Sequence, residues 1–256
     1  MTNELWHKGK IAIVTGGTAG IGLEIAQTLW RRGARVAIGG RRTPEEYTDL
    51  QADQFLVHQL DVCQTNSVEQ FVENLKDKLG IPDILVNAAG ITIHQEVCGH
   101  SDEDWEQAIE TNLNGPFRTI RACLPGMKSS GWGRIVNIAS TAATTAESTH
   151  PAYCASKAGL LGLTRAVALE GAPYGITCTS VSPTWVETEM LKSSVEKMAK
   201  RSGRTIEEER EAVASANPQN RLVQPREIAE LVSFLCSDLA PALTMEDIQV
   251  NAGAHW

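Results

Sequence analysis

The chain has 256 residues, of which 42% are hydrophobic and 21% charged, with 23 Lys plus Arg against 31 Asp plus Glu and a formal net charge of −8. That length can bury a substantial core without disulfide or metal staples, and the acidic balance argues against a protein that grips a nucleic-acid backbone, which needs a basic surface. The first apolar run, Ile11 to Val14, falls far short of the roughly 20 residues of a membrane-spanning helix, and the amino terminus carries no secretory apolar region or small-residue cleavage site.

In chain order, short apolar runs predict strands at Ile11–Thr15, Arg35–Ile38, Phe55–Gln59, Ile84–Asn87, Arg134–Ile138, Thr177–Val181 and Ile248–Asn251. Most are continuous aliphatic or β-branched runs, the pattern of parallel strands buried on both faces. A helix is expected from Leu23 to Arg32. Val68, Phe71, Val72, Leu75 and Leu79 form the stripe of a second, amphipathic helix. Ser101 with Asp104 three residues on reads as an N-terminal cap for a third, with Trp105 and Ile109 on one face. Such alternation predicts an α/β fold, a parallel sheet doubly wound with helices on both sides, in a single domain over residues 1–256. The charged segment Glu189 to Asn217, with Gly203 in its middle, breaks the alternation. It reads as one turn-rich helical excursion, a candidate lid over about 188–217.

The six cysteines (Cys63, Cys98, Cys123, Cys154, Cys178 and Cys236) are scattered, with no C-x-x-C pair. They read as thiols of a reducing cytosol, with no metal site expected and a cytoplasmic location. Cys154 stands apart because of its neighbours.

The first strand runs into Gly16–Gly17–Thr18–Ala19–Gly20–Ile21–Gly22 and then a helix. Glycines there allow close backbone approach, and a helix N-terminus offers N–H groups to a pyrophosphate. The spacing, G-x-x-x-G-x-G, differs from the general dinucleotide fingerprint G-x-G-x-x-G. After the second strand, an acid would bind the ribose 2′-hydroxyl of NAD, whereas arginine accepts the 2′-phosphate of NADP. The chain has Arg41–Arg42 and no acid there, so NADP(H) is expected over NAD(H). Further on, Tyr153 and Lys157 stand four residues apart, on one face of a helix. An ammonium beside a phenol favours the phenolate, so the pair can serve as a general acid/base.

Thr15–Gly16, Gly20–Ile21–Gly22, Asn87–Ala88–Ala89–Gly90, Asn112, Ser140, Tyr153 and Lys157 follow the order and spacing of the short-chain dehydrogenase/reductase family, which the chain resembles along essentially its whole length. The resemblance implies a three-layer Rossmann-type sheet of about seven strands and hydride transfer between a nicotinamide and a hydroxyl or carbonyl carbon. It gives Tyr153 the proton exchange, Ser140 a hydrogen bond to the substrate oxygen, Lys157 the nicotinamide-ribose hydroxyls and a lowered Tyr153 pKa, and Asn112 a water linking Lys157 to solvent. Expected cofactor contacts are Gly16, Thr18, Gly20, Ile21, Gly22, Arg41, Arg42, Asp61, Val62, Asn87, Ala89, Val186 and Thr188, with Tyr153 and Lys157. In the family the Asn87 motif also stabilises the central sheet.

Two departures from the family pattern stand out. Pro183–Thr184 replaces the usual Pro-Gly, so a side chain at 184 could narrow the nicotinamide pocket. The carboxy terminus reads Asn251–Ala252–Gly253–Ala254–His255–Trp256 where an Asp-Gly-Gly turn is common, which puts the usual carboxy-terminal subunit contacts in doubt.

By family position the substrate side is expected to include His94, Gln95, Ala142, Thr144, His150, Trp185, Glu187 and Met190, alongside Ser140 and Tyr153. The carboxy-terminal third resembles members acting on 3-oxoacyl, 3-hydroxyacid or polyketide carbonyls. The helix from Ala152 to Glu170 is apolar around much of its circumference, through Leu160, Leu161, Leu163, Ala166, Val167 and Leu169. A helix apolar on more than one face is buried twice, and in the family the second cover is another subunit, so a homotetramer or homodimer is expected. Competing readings on the same scaffold are a catalytically silent dinucleotide-binding regulator, an NAD-dependent polyol or hydroxyacid dehydrogenase, and a sugar-nucleotide epimerase. The epimerases usually need a larger substrate domain than the excursion after Glu189 provides.

Overall fold

The computed structural model describes residues 5–41 and 55–254. Every expected strand is present: β1 (Ile11–Thr15), β2 (Arg35–Gly40), β3 (Phe55–Gln59), β4 (Ile84–Asn87), β5 (Gly133–Ile138), β6 (Ile176–Pro183) and β7 (Asp247–Val250). They form one sheet in the order β3-β2-β1-β4-β5-β6-β7, parallel throughout. Several strands outrun their apolar runs because pairing, not hydrophobicity, sets their ends. Gly39 and Gly40 extend β2 by pairing with His58 and Gln59.

The pleat sends alternate residues to opposite layers. Ala12 and Val14 of β1, Ile84 and Val86 of β4 and Val136 and Ile138 of β5 join a core built with α1 (Gly20–Arg31). Ile11, Ile13, Leu85 and Ile135 face the other way, toward α2 (Thr65–Lys78). Each fully buried Ile or Leu in these layers contributes about 1.5–3 kcal/mol relative to exposure. On the α2 stripe Val68, Phe71, Val72 and Leu75 are buried. Ser101 accepts the Asp104 N–H at 3.1 Å and caps α3 (Asp102–Ile109) as expected, although Trp105 is exposed.

The chain then passes through a π-helical turn, Glu110–Asn114, straight into α4 (Gly115–Ser130). The long apolar helix is α5 (Pro151–Gly171). Leu160, Leu161 and Val167 are buried, whereas Leu169 is 65% exposed. The excursion after β6 is two helices rather than one, α6 (Glu189–Ser202) and α7 (Ile206–Ser215). Gly203 ends α6 in a left-handed conformation, and Thr205 starts α7 through a reciprocal capping box with Glu208. Leu191, Val195, Val213 and Leu222 give the excursion a small core of its own, with Trp185 and Met198 packed on it. The last helix, α8 (Pro225–Leu235), returns to the α1 layer. Among the described residues no helix is long and apolar enough to cross a membrane. Cys123 and Cys236 are buried, and burial pushes both thiols up to about 12.

Candidate active site

β1 and β4 are neighbours in the sheet, yet α1 packs on one face, and the chain after β4 leads to α4 on the other. Their carboxyl ends therefore frame a crevice of the kind where doubly wound sheets bind ligands. Its floor is shaped by the glycine-rich turn and the end of β1. Gly16 adopts φ +65°, and a Cβ there would sit 2.8 Å from the Ala89 Cα. Gly22 packs so closely that a Cβ would come within 2.3 Å of the Gly16 carbonyl oxygen. Thr15 Oγ1 accepts the N–H groups of Ala88 and Ala89, each at 3.2 Å, and ties this turn to the chain after β4.

α1 starts earlier than its apolar pattern suggests, at Gly20 rather than Leu23, so Gly20, Ile21 and Gly22 form its first turn. No side chain caps that turn and no acid lies in it. Unclaimed N–H groups at a positive helix end fit a pyrophosphate, so the residues present suit a dinucleotide. Thr18 lies in the turn just before it. Beyond β2, Arg41 is exposed; Arg42 falls outside the described residues, as do His255 and Trp256.

The other expected cofactor positions also fall at strand ends. Asp61 accepts the Cys63 N–H at 3.0 Å, and Val62 is buried, where a Cβ on Gly115 would come within 2.8 Å of its Cγ2. The Asn87 side chain is spent inside the protein. It donates to Asn137 Oδ1 at 2.9 Å and accepts from Thr119 at 2.6 Å, so its sheet-stabilising role is the one visible. Thr188 caps α6, accepting the Leu191 N–H at 3.3 Å, and lies beside Gly20. Val186 forms an isolated bridge with Val223.

Ser140, Tyr153 and Lys157 come together in one cleft. Ser140 Oγ accepts the Ala142 N–H at 3.2 Å, and its hydrogen bond with the Tyr153 side chain draws the phenol pKa down. Burial outweighs that bond and holds Tyr153 above its ordinary value. The expectation that Lys157 lowers it is therefore corrected for the protein alone. The ammonium lies 5.7 Å from the centre of the phenol ring and donates instead to the Ile138 carbonyl at 2.7 Å. Burial also pulls Lys157 down to about 8, because a charge is costly away from water.

Asn112 lies in the π-helical turn, fully buried. Its Oδ1 accepts the Ile91 N–H at 2.9 Å, and its Nδ2 donates to the Ile91 carbonyl at 3.0 Å and to Ser156 Oγ at 3.1 Å. The side chain thus staples the segment after β4 to α5. Its main-chain carbonyl has no α-helical donor, because the residue four places on is Pro116, which lacks an N–H. A π-turn next to such a proline is a recurrent feature of functional sites.

Of the residues expected on the substrate side, Ala142, His150, Trp185 and Met190 line the cleft. His94 stands behind His150. Three others point elsewhere: Gln95 bonds the Gly99 carbonyl, Thr144 the Thr141 carbonyl, and Glu187 pairs with Arg210 at 2.6 Å. Thr184 does line the cleft, and its hydroxyl reaches the buried Asn217 Oδ1 at 3.5 Å. Sequence reasoning missed Thr92, Glu147 and Ser194 on the wall, small or polar loop and helix residues that no periodicity marks.

A family described as Enoyl-(Acyl carrier protein) reductase matches residues 16–255. The D-beta-hydroxybutyrate dehydrogenase of Rhizobium meliloti is 34% identical over 252 residues, spanning 95% of this chain and 98% of that protein. The 3-oxoacyl-(acyl-carrier-protein) reductase FabG of Vibrio cholerae is 37% identical over 252 residues, with 97% and 98% covered. Among solved structures, an actinorhodin polyketide ketoreductase variant with NADPH superposes with a TM-score of 0.91 at 36% identity, over 95% of this chain and 96% of that one. The parallel sheet, the uncapped helix end at its crevice, the Ser140–Tyr153–Lys157 cluster and these end-to-end likenesses have one conclusion: the chain belongs to the short-chain dehydrogenase/reductase family of oxidoreductases.

Proposed function

We propose that the protein is an NADP(H)-dependent reductase of ketones, acting reversibly on the matching secondary alcohols, with 3-oxoacyl and related carbonyl compounds as its substrate class. The observation that carries the reading is the cluster in one cleft of a hydroxyl that donates to a phenol, the phenol itself, and a buried ammonium one helical turn away. A catalytically silent regulator has no use for that cluster. The substrate class draws on the hydroxybutyrate dehydrogenase and acyl-carrier-protein reductase relatives. The preference for NADP(H) draws on Arg41 with no acid beside it, and on the NADPH named with the ketoreductase neighbour.

When bound, the nicotinamide supplies or accepts the hydride. The chain's own residues handle the oxygen and its proton. Ser140 O–H orients the carbonyl oxygen, and Tyr153, kept protonated by burial, passes its phenolic proton to that oxygen. The Lys157 ammonium then stabilises the phenolate left behind. The Asn112 carbonyl, with no N–H four residues on to claim it, takes a water on the path by which Lys157 and Tyr153 regain protons. Arg41 pairs with the 2′-phosphate, and the first turn of α1 holds the pyrophosphate. α6 covers the substrate end through Met190 and Ser194, with Trp185 just before it, the lid role for this excursion. The exposed Leu169 and Phe117 suit burial against a second copy of the chain, giving a dimer or tetramer.

The test follows NADPH absorbance across a ketone panel for the wild-type protein and Tyr153→Phe. Turnover by the first and its loss by about 10²–10⁴-fold in the second is expected. Full activity in the variant would refute the assignment.

A further inference from the structure

Behind the substrate wall, His94 and His150 touch through their Nε2 atoms at 3.3 Å, with ring centres 4.0 Å apart. His150 is buried and lines the cleft. Its other nitrogen, Nδ1, lies 2.9 Å from the Ser148 carbonyl oxygen. A carbonyl only accepts, so the single hydrogen of a neutral His150 is on Nδ1 and its Nε2 is bare. Two ring nitrogens bond only if one carries a hydrogen, so the hydrogen between them belongs to His94 Nε2. Ser194 Oγ of α6, 3.1 Å from that nitrogen, takes the second branch of the bond.

The surroundings hold His94 in this role. Burial first, and then His150, Lys197 and Arg201, keep its pKa at about 4, so the ring is neutral. Glu147 is the charged group facing His150 from its own loop, and Tyr153 faces it from α5, 6.3 Å ring to ring. The backbone is locked as well. Arg201 donates to the His94 carbonyl at 2.9 Å, and Gln95 N–H donates to the Thr149 carbonyl at 2.8 Å. Thr149 itself is held at φ +65°, a strain that β-branched residues rarely accept and that tends to mark functional loops.

We propose that His94 is a positioning residue that sets substrate selectivity: by holding His150 Nε2, it makes the cleft meet a ring whose two nitrogens are both committed. The wall there offers ring carbon to an apolar or aromatic part of the substrate and no donor to a carboxylate. This rests on the reading of the cleft as a ketone-reducing site.

The proton assignment is tested by ¹⁵N NMR of histidine-labelled protein at mildly alkaline pH, with no substrate present. His150 should appear protonated at Nδ1 only, with the shared His94 hydrogen shifted downfield. The His150 Nε2 resonance should move in His94→Leu, where it loses its donor, and stay near its wild-type position in His94→Gln, whose amide can donate in the same place. A His150 protonated at Nε2 in the wild-type protein overturns the proposal.

Selectivity is read as the ratio of kcat/KM for methyl hexyl ketone to that for the keto acid with a carboxylate ending the same chain. The wild-type ratio should favour the ketone. It should fall about tenfold in His94→Leu, through KM rather than kcat, as the released His150 ring turns its Nδ1–H from the Ser148 carbonyl toward the cleft. His94→Gln and the double variant His94→Leu with His150→Phe should restore it to within about twofold of the wild type. An unchanged ratio in His94→Leu, or a wild-type preference for the acid, refutes the proposal. If no ketone is reduced at all, the proposed function fails, while the NMR still decides the histidine pair.

Discussion

The Lys157 ammonium donates to the main-chain oxygen of Ile138, the last residue of β5, at 2.7 Å. That single bond fixes a charge that burial has made weakly held, with its pKa brought down to about 8. Above that pH the amine is neutral and no longer stabilises a phenolate. Ketone reduction needs Lys157 charged and Tyr153 protonated, and the second condition outlasts the first because Tyr153 is shifted upward. In the free protein kcat/KM for reduction should therefore be level below about pH 8 and fall above it, by about tenfold per pH unit. A pH profile of NADPH oxidation at low ketone concentration checks this. A limb only near pH 10 would mean that burial does not set the lysine.

Ser140 is the second point of leverage. Its oxygen accepts the Ala142 N–H, and its one hydrogen can turn from the phenol to the substrate oxygen. Ser140→Ala should lower kcat by about 10²-fold with little change in the cofactor Kd. Ser140→Thr keeps the hydroxyl and should recover much of the loss. Steady-state kinetics with a fluorescence titration of NADPH separate the two effects.

The sheet was legible because its central strands, β1, β4 and β5, are buried on both faces and announce themselves by apolar runs. Tyr153, Lys157 and Ser140 were legible through their spacing. The π-turn at Glu110–Asn114 was not, since nothing in the hydrophobic period there separates a π from an α register. Only Pro116, four residues after Asn112, hints at it. The division of the excursion into α6 and α7 had a written signal, Thr205 followed three residues later by Glu208, which the charge of the segment obscured. The spent side chain of Asn87 and the His94–His150 contact depend on what the fold brings together from 32 to 56 residues away, beyond the reach of local pattern.

Arg41 follows β2 with its side chain exposed, and the proposed NADP(H) preference assigns it the ribose phosphate. A charge-assisted pair of this type contributes about 1.5–3 kcal/mol. Arg41→Asp should weaken NADPH binding by about 10–100-fold and leave NADH binding equal or improved. Fluorescence titration of both cofactors reads the difference. Equal losses for the two would indicate that Arg41 serves the loop rather than the phosphate.

His7 offers a test of folding independent of catalysis. Its side chain is completely buried, with Nε2 2.8 Å from Ser233 Oγ on α8 and Nδ1 without a partner among the described residues. Burial, aided by the Arg32 charge, lowers its pKa from 6.5 to about 4. The unfolded chain therefore binds a proton that the folded chain refuses throughout that interval, and stability must rise with pH across it. The contribution is fully present above pH 6.5 and is lost as pH falls toward 4, reaching about 3 kcal/mol. Urea midpoints measured between pH 7 and pH 4.5 should decline accordingly. His7→Gln retains a hydrogen-bonding group for Ser233 but cannot take up the proton, so its decline should be shallower by close to one proton's worth. Parallel curves for the two proteins would show that His7 titrates alike in the folded and unfolded chain, and the packing of α8 against the amino-terminal segment would then be looser than the buried ring implies.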